Sequence, residues 1–416
     1  MKKFLEGLFY LSILLVILPS FKAISLFPSS HALAGLMWAA LFIFVLYKSF
    51  KEKLDLISHN SLFKYFFIFF VFQSLSVINV VNFGSFLSTF EKIFFSGILV
   101  FISSYFIKDL KSINKIIFVL FLASAINLLL QVLMFFNYQL FLYFGGIFLN
   151  KSYLDLISVN IQRGRVYLES YDEMLIPLIL YFWMQNKNRK FLIWFAFLIP
   201  IISFISLFRT KIIMLAFALL GSMILFLREI KRYYLIPIGI SVIIFSLYWF
   251  LSSLQFYTVF DRLTLQYSSD QGTIASRIER WGFALDMGIS SPAFGVGLGN
   301  YYDYLPSNKQ QSISTYQLAN QEYDIAAQDP HNVFFSTFAE TGTLGLGTFT
   351  LLLLYFIKVD FEVLKNKKNG LGKAFVISFW TLFLYSLANP SSSITYQSLF
   401  WLTRVAIYKL NIIEAS

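Results

Sequence analysis

Apolar runs of about twenty residues recur from one end of this chain to the other, and they leave few folds open to it. Tyr233–Ser252 is one such run. A bilayer core is crossed by roughly 20 apolar residues in a helix. The runs are continuous rather than alternating, which excludes a closed barrel. Only 13% of the 416 residues are charged and the mean hydropathy is +0.69, against about 25% charged in soluble domains. The sequence therefore predicts an all-α polytopic membrane protein. About twelve transmembrane helices are expected, at 4–21, 31–47, 62–81, 85–107, 116–137, 174–186, 191–208, 212–227, 233–253, 331–357, 374–388 and 394–410. The first run follows MKK with no small-residue cleavage site, so it reads as a spanning helix rather than a signal peptide. The chain has no Cys, which excludes disulfide and thiolate chemistry.

Charge gives the orientation. With Met1 in the cytoplasm, the connections KSFKEK, KDLKSINK, NKNRK, REIKR and KVDFEVLKNKKNGLGK all fall inside. Each is basic and short, as the positive-inside rule requires. Both termini are then cytoplasmic. The net charge of +11 is no nucleic-acid signal, since no soluble domain carries it. The positives left outside are exceptions that need a reason. They include Lys92, Lys211, Arg163, Arg165, Arg209, Arg262, Arg277 and Arg280, with Arg well represented. Guanidinium groups bind phosphate and carboxylate oxygens as a bidentate fork, so an Arg-rich outer face points to an anionic ligand.

Two outer regions are long, and long loops usually carry function. The smaller, 138–173, includes NIQRGRVYLESYDE. The larger, 254–330, separates helices 9 and 10, so the chain divides into 1–253, 254–330 and 331–416. Apolar stretches within the loops, Leu140–Phe148 and Phe283–Ile289, suit interfacial helices. In SRIERW, Arg277 and Arg280 lie three apart and would share a helix face, with Trp281 seated at the headgroup level. Paired guanidinium groups suit a diphosphate. Arg209 sits between two apolar runs, either as a snorkelling residue of a tight turn or as a phosphate clamp. GVGLGN has no preceding strand, so it is no dinucleotide fingerprint. It reads as a tight turn bringing backbone close to a substrate or lipid. His331 follows Asp329 and Pro330, which mark a helix start. Such a His is either a capping residue or a general base, the helix dipole disfavouring a positive charge there. Outer acids include Glu169, Asp172, Glu173, Asp261, Asp270 and Asp303, without paired spacing that would support a metal.

The order of these features resembles the O-antigen ligase and polymerase superfamily of bacterial envelope glycosyltransferases. An Arg ends a middle helix (Arg209), R-x-x-R-W follows (Arg277, Arg280, Trp281), then SPAFGVGLGNY, PHN opening a helix (Pro330, His331, Asn332) and ETGTLGLG. The resemblance implies glycan transfer from undecaprenyl diphosphate to an acceptor sugar hydroxyl, on the outer face of the inner membrane. It implies Arg277, Arg280 and His331 as catalytic residues, with Arg209 and Arg262 as further diphosphate ligands; the reading of the smaller loop adds Arg163 and Arg165 as diphosphate ligands. No cofactor and no metal are expected. Expected partners are the lipid-linked donor, an acceptor glycan, membrane lipids, a flippase and a chain-length regulator. The acceptor is either a lipid-linked repeat, making the chain a polymerase, or the lipid A core, making it a ligase. The Arg pair at Arg163 and Arg165 gives a second cationic loop, which suits a polymerase with two polyprenyl-linked substrates. The rival of another class is a lipid-linked oligosaccharide transporter, which calls for charges near mid-membrane and internal symmetry. The sequence reading finds neither.

Overall fold

A computed structural model describes residues 2–22, 29–52, 61–162, 168–185, 191–206, 208–226, 268–305, 315–318, 321–324, 330–366, 368–389 and 391–413. The helices are α1 (Lys2–Ile17), α2 (Ser30–Glu52), α3 (Ser61–Leu75), α4 (Phe83–Phe106), α5 (Leu110–Phe136), α6 (Tyr138–Phe148), α7 (Lys151–Gln162), α8 (Ile176–Gln185), α9 (Phe191–Ile205), α10 (Arg209–Phe226), α11 (Ser268–Ser290), α12 (Val333–Lys365), α13 (Gly370–Ser386) and α14 (Ile394–Ile413). A short hairpin, Thr315–Leu318 against Gln321–Asp324, lies between α11 and α12. Among the described residues six helices are long and apolar enough to cross a membrane: α2, α3 with its 3-10 extension, α4, α5, α10 and α12. The chain is thus a multi-pass helical membrane protein. Other expected spans coincide with shorter or more polar helices, and the one at 233–253 lies outside the described residues.

Some boundaries differ from the sequence reading for local reasons. Helix α5 begins six residues before its expected span, because Asp109 and Ser112 form a reciprocal capping box that draws LKSINK into the helix. Helices α6 and α7 fill the smaller loop, and α6 contains the predicted Leu140–Phe148 stretch.

The core is continuous through the bundle, with α13 and α14 at its centre; Phe375, Phe379, Trp401 and Ile407 are buried there. Contrary to the expectation that charge stays outside the bundle, it also encloses ionic groups. Arg404 of α14 donates from Nη1 and Nη2 to the two carboxylate oxygens of Asp360 on α12, at 2.6 and 2.7 Å. Trp380 Nε1 donates to the same carboxylate at 2.8 Å. The guanidinium carbon lies 3.5 Å from the Phe379 ring centroid and 4.3 Å from that of Phe356. The sequence reading missed this pair because each charge stands alone in its own apolar helix.

One break in a helix shapes the end of the bundle where α11 docks. Gly342, at φ 65° and ψ −163°, interrupts α12. Backbone groups released by such a break must be satisfied elsewhere. The Pro292–Gly297 loop satisfies them: Val296 and Gly297 N–H donate to the carbonyls of Ala339 and Glu340, while Thr343 and Leu344 N–H donate to those of Pro292 and Ala293. A Cβ at Gly295, itself at positive φ, would meet the Glu340 carbonyl carbon at 2.3 Å. The glycines of GVGLGN therefore serve packing against α12 and the α3–α4 corner, where Leu298 N–H donates to Ser76 Oγ. Leu298 and Gly299 of the same turn also border a large cavity between α3, α4 and α12.

Candidate active site

Helix α11 carries the R-x-x-R-W motif, and its docking fixes where the arginines stand. Ala284 and Met287 of α11 form a small apolar cluster with Val296, Tyr301, Leu305 and Ala339. Tyr301 Oη donates to the Arg280 carbonyl at 2.9 Å. Trp281 stacks on Phe335 of α12, with centroids 5.2 Å apart and planes 13° from parallel. Its Nε1 donates to the Pro330 carbonyl at 3.0 Å. Trp281 therefore latches α11 to α12.

The α12 start differs from expectation as well. Its N-cap is Asn332, whose side-chain oxygen accepts from Phe334 and Phe335 N–H, and its amide nitrogen donates to the Leu387 carbonyl at 3.1 Å. His331 thus precedes the cap rather than opening the helix. It is the non-glycine residue with positive φ (58°) among the described residues. Such a backbone persists when its neighbours are pinned, and here Pro330 and Asn332 are both held. The imidazole reaches Arg280, with Nη1 3.2 Å from Nε2. A guanidinium only donates, so Nε2 accepts and its lone pair faces Arg280.

Arg280 is buried and Arg277 half-buried. Arg209 opens α10 close enough to act on Arg277. Burial, then the like charges of Arg209 and Arg280, push the Arg277 guanidinium below its ordinary pKa. Its Nε is buried and makes no hydrogen bond. The structure thus brings together Arg209, Arg277, Arg280 and His331. Arg163, Arg165 and Arg262 lie outside the described residues, as does Asp261. Lys211 does not join the outer cations. It is buried, 3.7 Å from Glu173 Oε1, and donates to Ser170 Oγ at 2.9 Å. Asp172 and Glu173 are buried with it, which removes them as surface acids.

Alongside, α3, α4, α12, α13 and α14 enclose a cavity of about 560 Å³. Pockets of this size take small ligands. The arginines do not line it, but Val333, Ser336 and Thr337, on the helix that follows His331, do. Its walls mix hydroxyls and amides (Ser85, Thr89, Gln73, Gln397) with aromatic faces (Tyr302, Tyr396, Trp401). Lys92 and Glu340 both line it. The sequence reading passed over this lining, although Ser85, Ser88, Thr89 and Lys92 recur at helical spacing along α4 and form a legible polar stripe. Among the described residues no group of three or more His, Asp or Glu is placed to hold a metal.

Chemically, fixed guanidinium groups beside an imidazole can stabilise an anionic leaving group and accept a proton nearby. No curated protein matches the chain at a significant level. Residues 204–350 match a family model described as O-antigen ligase, a segment that begins ahead of Arg209 and runs past Gly347. That segment holds all four convergent residues, and over it the chain is similar to the O-antigen ligase family.

Proposed function

We propose that the protein is a membrane glycosyltransferase that polymerises lipid-linked repeat units of an O-antigen, capsule or exopolysaccharide on the outer face of the bacterial inner membrane. The observation that carries this reading is the clustering of Arg209, Arg277 and Arg280, with Arg277 held half-buried among like charges. Such an arrangement is unfavourable by itself and favourable around a diphosphate.

In the reaction, the bond between the anomeric carbon and the diphosphate oxygen of undecaprenyl-diphosphate glycan breaks. Its electron pair leaves with the diphosphate, whose growing charge the guanidinium groups stabilise. The acceptor hydroxyl oxygen attacks from the opposite face, inverting configuration, and its proton passes to His331. In the ligand-free arrangement Arg280 covers the Nε2 lone pair of His331. A diphosphate that draws the guanidinium toward itself uncovers that lone pair, coupling donor binding to base activation. The mixed polar and aromatic cavity beside α12 suits sugar rings, whose hydroxyls bond to amides and whose C–H faces stack on aromatics.

Ligation to the lipid A core uses the same chemistry with another acceptor. The second Arg pair, Arg163 and Arg165, favours the polymerase, because it supplies a cationic loop for a second lipid diphosphate. A transporter is disfavoured: Asp360–Arg404 is closed on itself rather than lining a path.

The test is glycan extension by the purified protein with lipid-linked repeats, and separately with a lipid A core acceptor. His331→Ala and Arg280→Ala abolish extension at normal protein level. Arg280→Lys also fails, because the bidentate fork is lost. Normal polymer from the first two variants removes the catalytic assignment, and transfer to the core alone replaces polymerase with ligase.

A further inference from the structure

A second, small cavity of about 20 Å³ lies between α5, the turn leading into α8, and α14. That is room for one water or one bare ion. Ser124 and Asn127 of α5, Ser170, Asp172 and Thr395 contribute its polar lining. Ser124 and Asn127 are each 2% exposed and Asp172 4%. Ser124 Oγ, Asn127 Oδ1 and Asp172 Oδ2 are buried without a well-formed hydrogen bond, with Ser124, Ser170 and Gln131 set around the Asp172 carboxylate. Three buried oxygens thus border one ion-sized space.

Charge selects the occupant. Asp172 and Glu173 are adjacent carboxylates, and the cation facing both is Lys211. Lys211 stands 3.7 Å from Glu173 Oε1, which also accepts from Ser203 Oγ at 2.6 Å. With Glu173 matched in this way, an ionised Asp172 leaves the group a formal charge of −1. A buried charge without a counter-charge is strongly disfavoured. A water would fill the space and leave that charge; a cation removes it. Hard oxygen donors suit alkali and alkaline-earth ions, and one carboxylate beside an ammonium is too little charge for a divalent ion.

We propose that this cavity binds a monovalent cation of sodium size, held by Asp172 Oδ2, Asn127 Oδ1 and Ser124 Oγ. The ion ties α5 to the segment preceding α8. Tyr171, beside Asp172, meets Tyr385 and Tyr396 edge to face, with centroids 5.0 and 5.7 Å away. Tyr396 lines the large cavity, so the ion stiffens the back of that wall.

The experiment is thermal unfolding of the full chain in nanodiscs, titrated with sodium chloride against N-methylglucamine chloride at constant ionic strength. Wild type shows a saturable rise in midpoint with sodium and a weaker one with potassium. Asp172→Asn, which removes the unmatched charge, shows no response to sodium. Ser124→Ala, a mild change that keeps the charge, needs about tenfold more sodium for half-saturation, and it carries the test should Asp172→Asn fail to fold. A wild-type midpoint indifferent to sodium, an unaltered response in Asp172→Asn, or an unshifted titration in Ser124→Ala overturns the proposal. So does a midpoint that rises on acidification without sodium and rises no further with it, since a proton then occupies the place assigned to the cation.

Discussion

Two assemblies of charge, Asp360–Arg404 and the arginines around His331, differ in how their charge is met. Arg404 makes two charge-assisted bonds to Asp360 and is sandwiched by aromatic rings. The charges of that pair are met within the protein, although Arg404 Nε, like Arg277 Nε, makes no hydrogen bond. Arg277 stands near Arg209 and Arg280, and both neighbours oppose its charge. An ion pair completed within the protein holds helices together; a guanidinium opposed by like charges, as Arg277 is, is poised for an external anion. Both were equally plain as letters in the sequence, yet only the geometry separates structural from ligand-binding arginine.

The largest expected effect is on the closed pair. Arg404→Ala leaves Asp360 buried and unmatched, a loss of roughly 3–5 kcal/mol, read as a large drop in unfolding midpoint or in membrane-inserted protein. Replacing both partners by apolar residues of similar volume restores most of it. An Arg404→Ala protein of wild-type stability would break the comparison at once, because its charge would then be as dispensable to folding as that of Arg277.

The converse variant is Arg277→Ala. Removing one fixed donor to a developing oxyanion costs about 10²- to 10³-fold in rate, measured as extension of lipid-linked repeats. Stability should hold or rise, because burial and like charges both work against this guanidinium in the ligand-free protein. Loss of stability resembling that of Arg404→Ala would mean the cluster is structural, and transfer at the wild-type rate would mean that Arg277 does not meet the diphosphate.

The parts of this arrangement that lie close in sequence were legible there. The helical pairing of Arg277 with Arg280, the tight turn of GVGLGN and the apolar helices all follow from local pattern. What depended on distant partners was not. The loop glycines need Gly342, whose backbone break gives Val296 and Gly297 their acceptors. Asp360 needs Arg404, and Lys211 needs Glu173; each pair joins separate helices. The contacts of Trp281 with Phe335 and Pro330 were hidden for the same reason, since an amphipathic ring suits a membrane surface or a protein partner equally well. The positive φ of His331 has no signature in PHN, because it results from anchoring on both sides. The polar stripe of α4 was readable and was missed for another reason: serine and threonine are tolerated in spanning helices, so a stripe gains meaning only when other walls face it.

The smallest expected effect concerns the latch that keeps the two kinds of assembly apart. Trp281→Phe preserves most of the stacking on Phe335 and removes only the bond to the Pro330 carbonyl. A neutral hydrogen bond contributes about 1 kcal/mol to stability, a shift far smaller than that of Arg404→Ala. Its consequence for transfer should exceed its consequence for folding. Pro330 immediately precedes His331, and a residue held in the left-handed region depends on such anchors. Freed on one side, His331 relaxes toward an ordinary backbone and its ring leaves Arg280. The variant should therefore lose turnover with little change in donor KM, since the arginines keep their places. A fall in stability matched by an equal fall in activity would instead make the latch ordinary packing, and the backbone of His331 would then owe nothing to it.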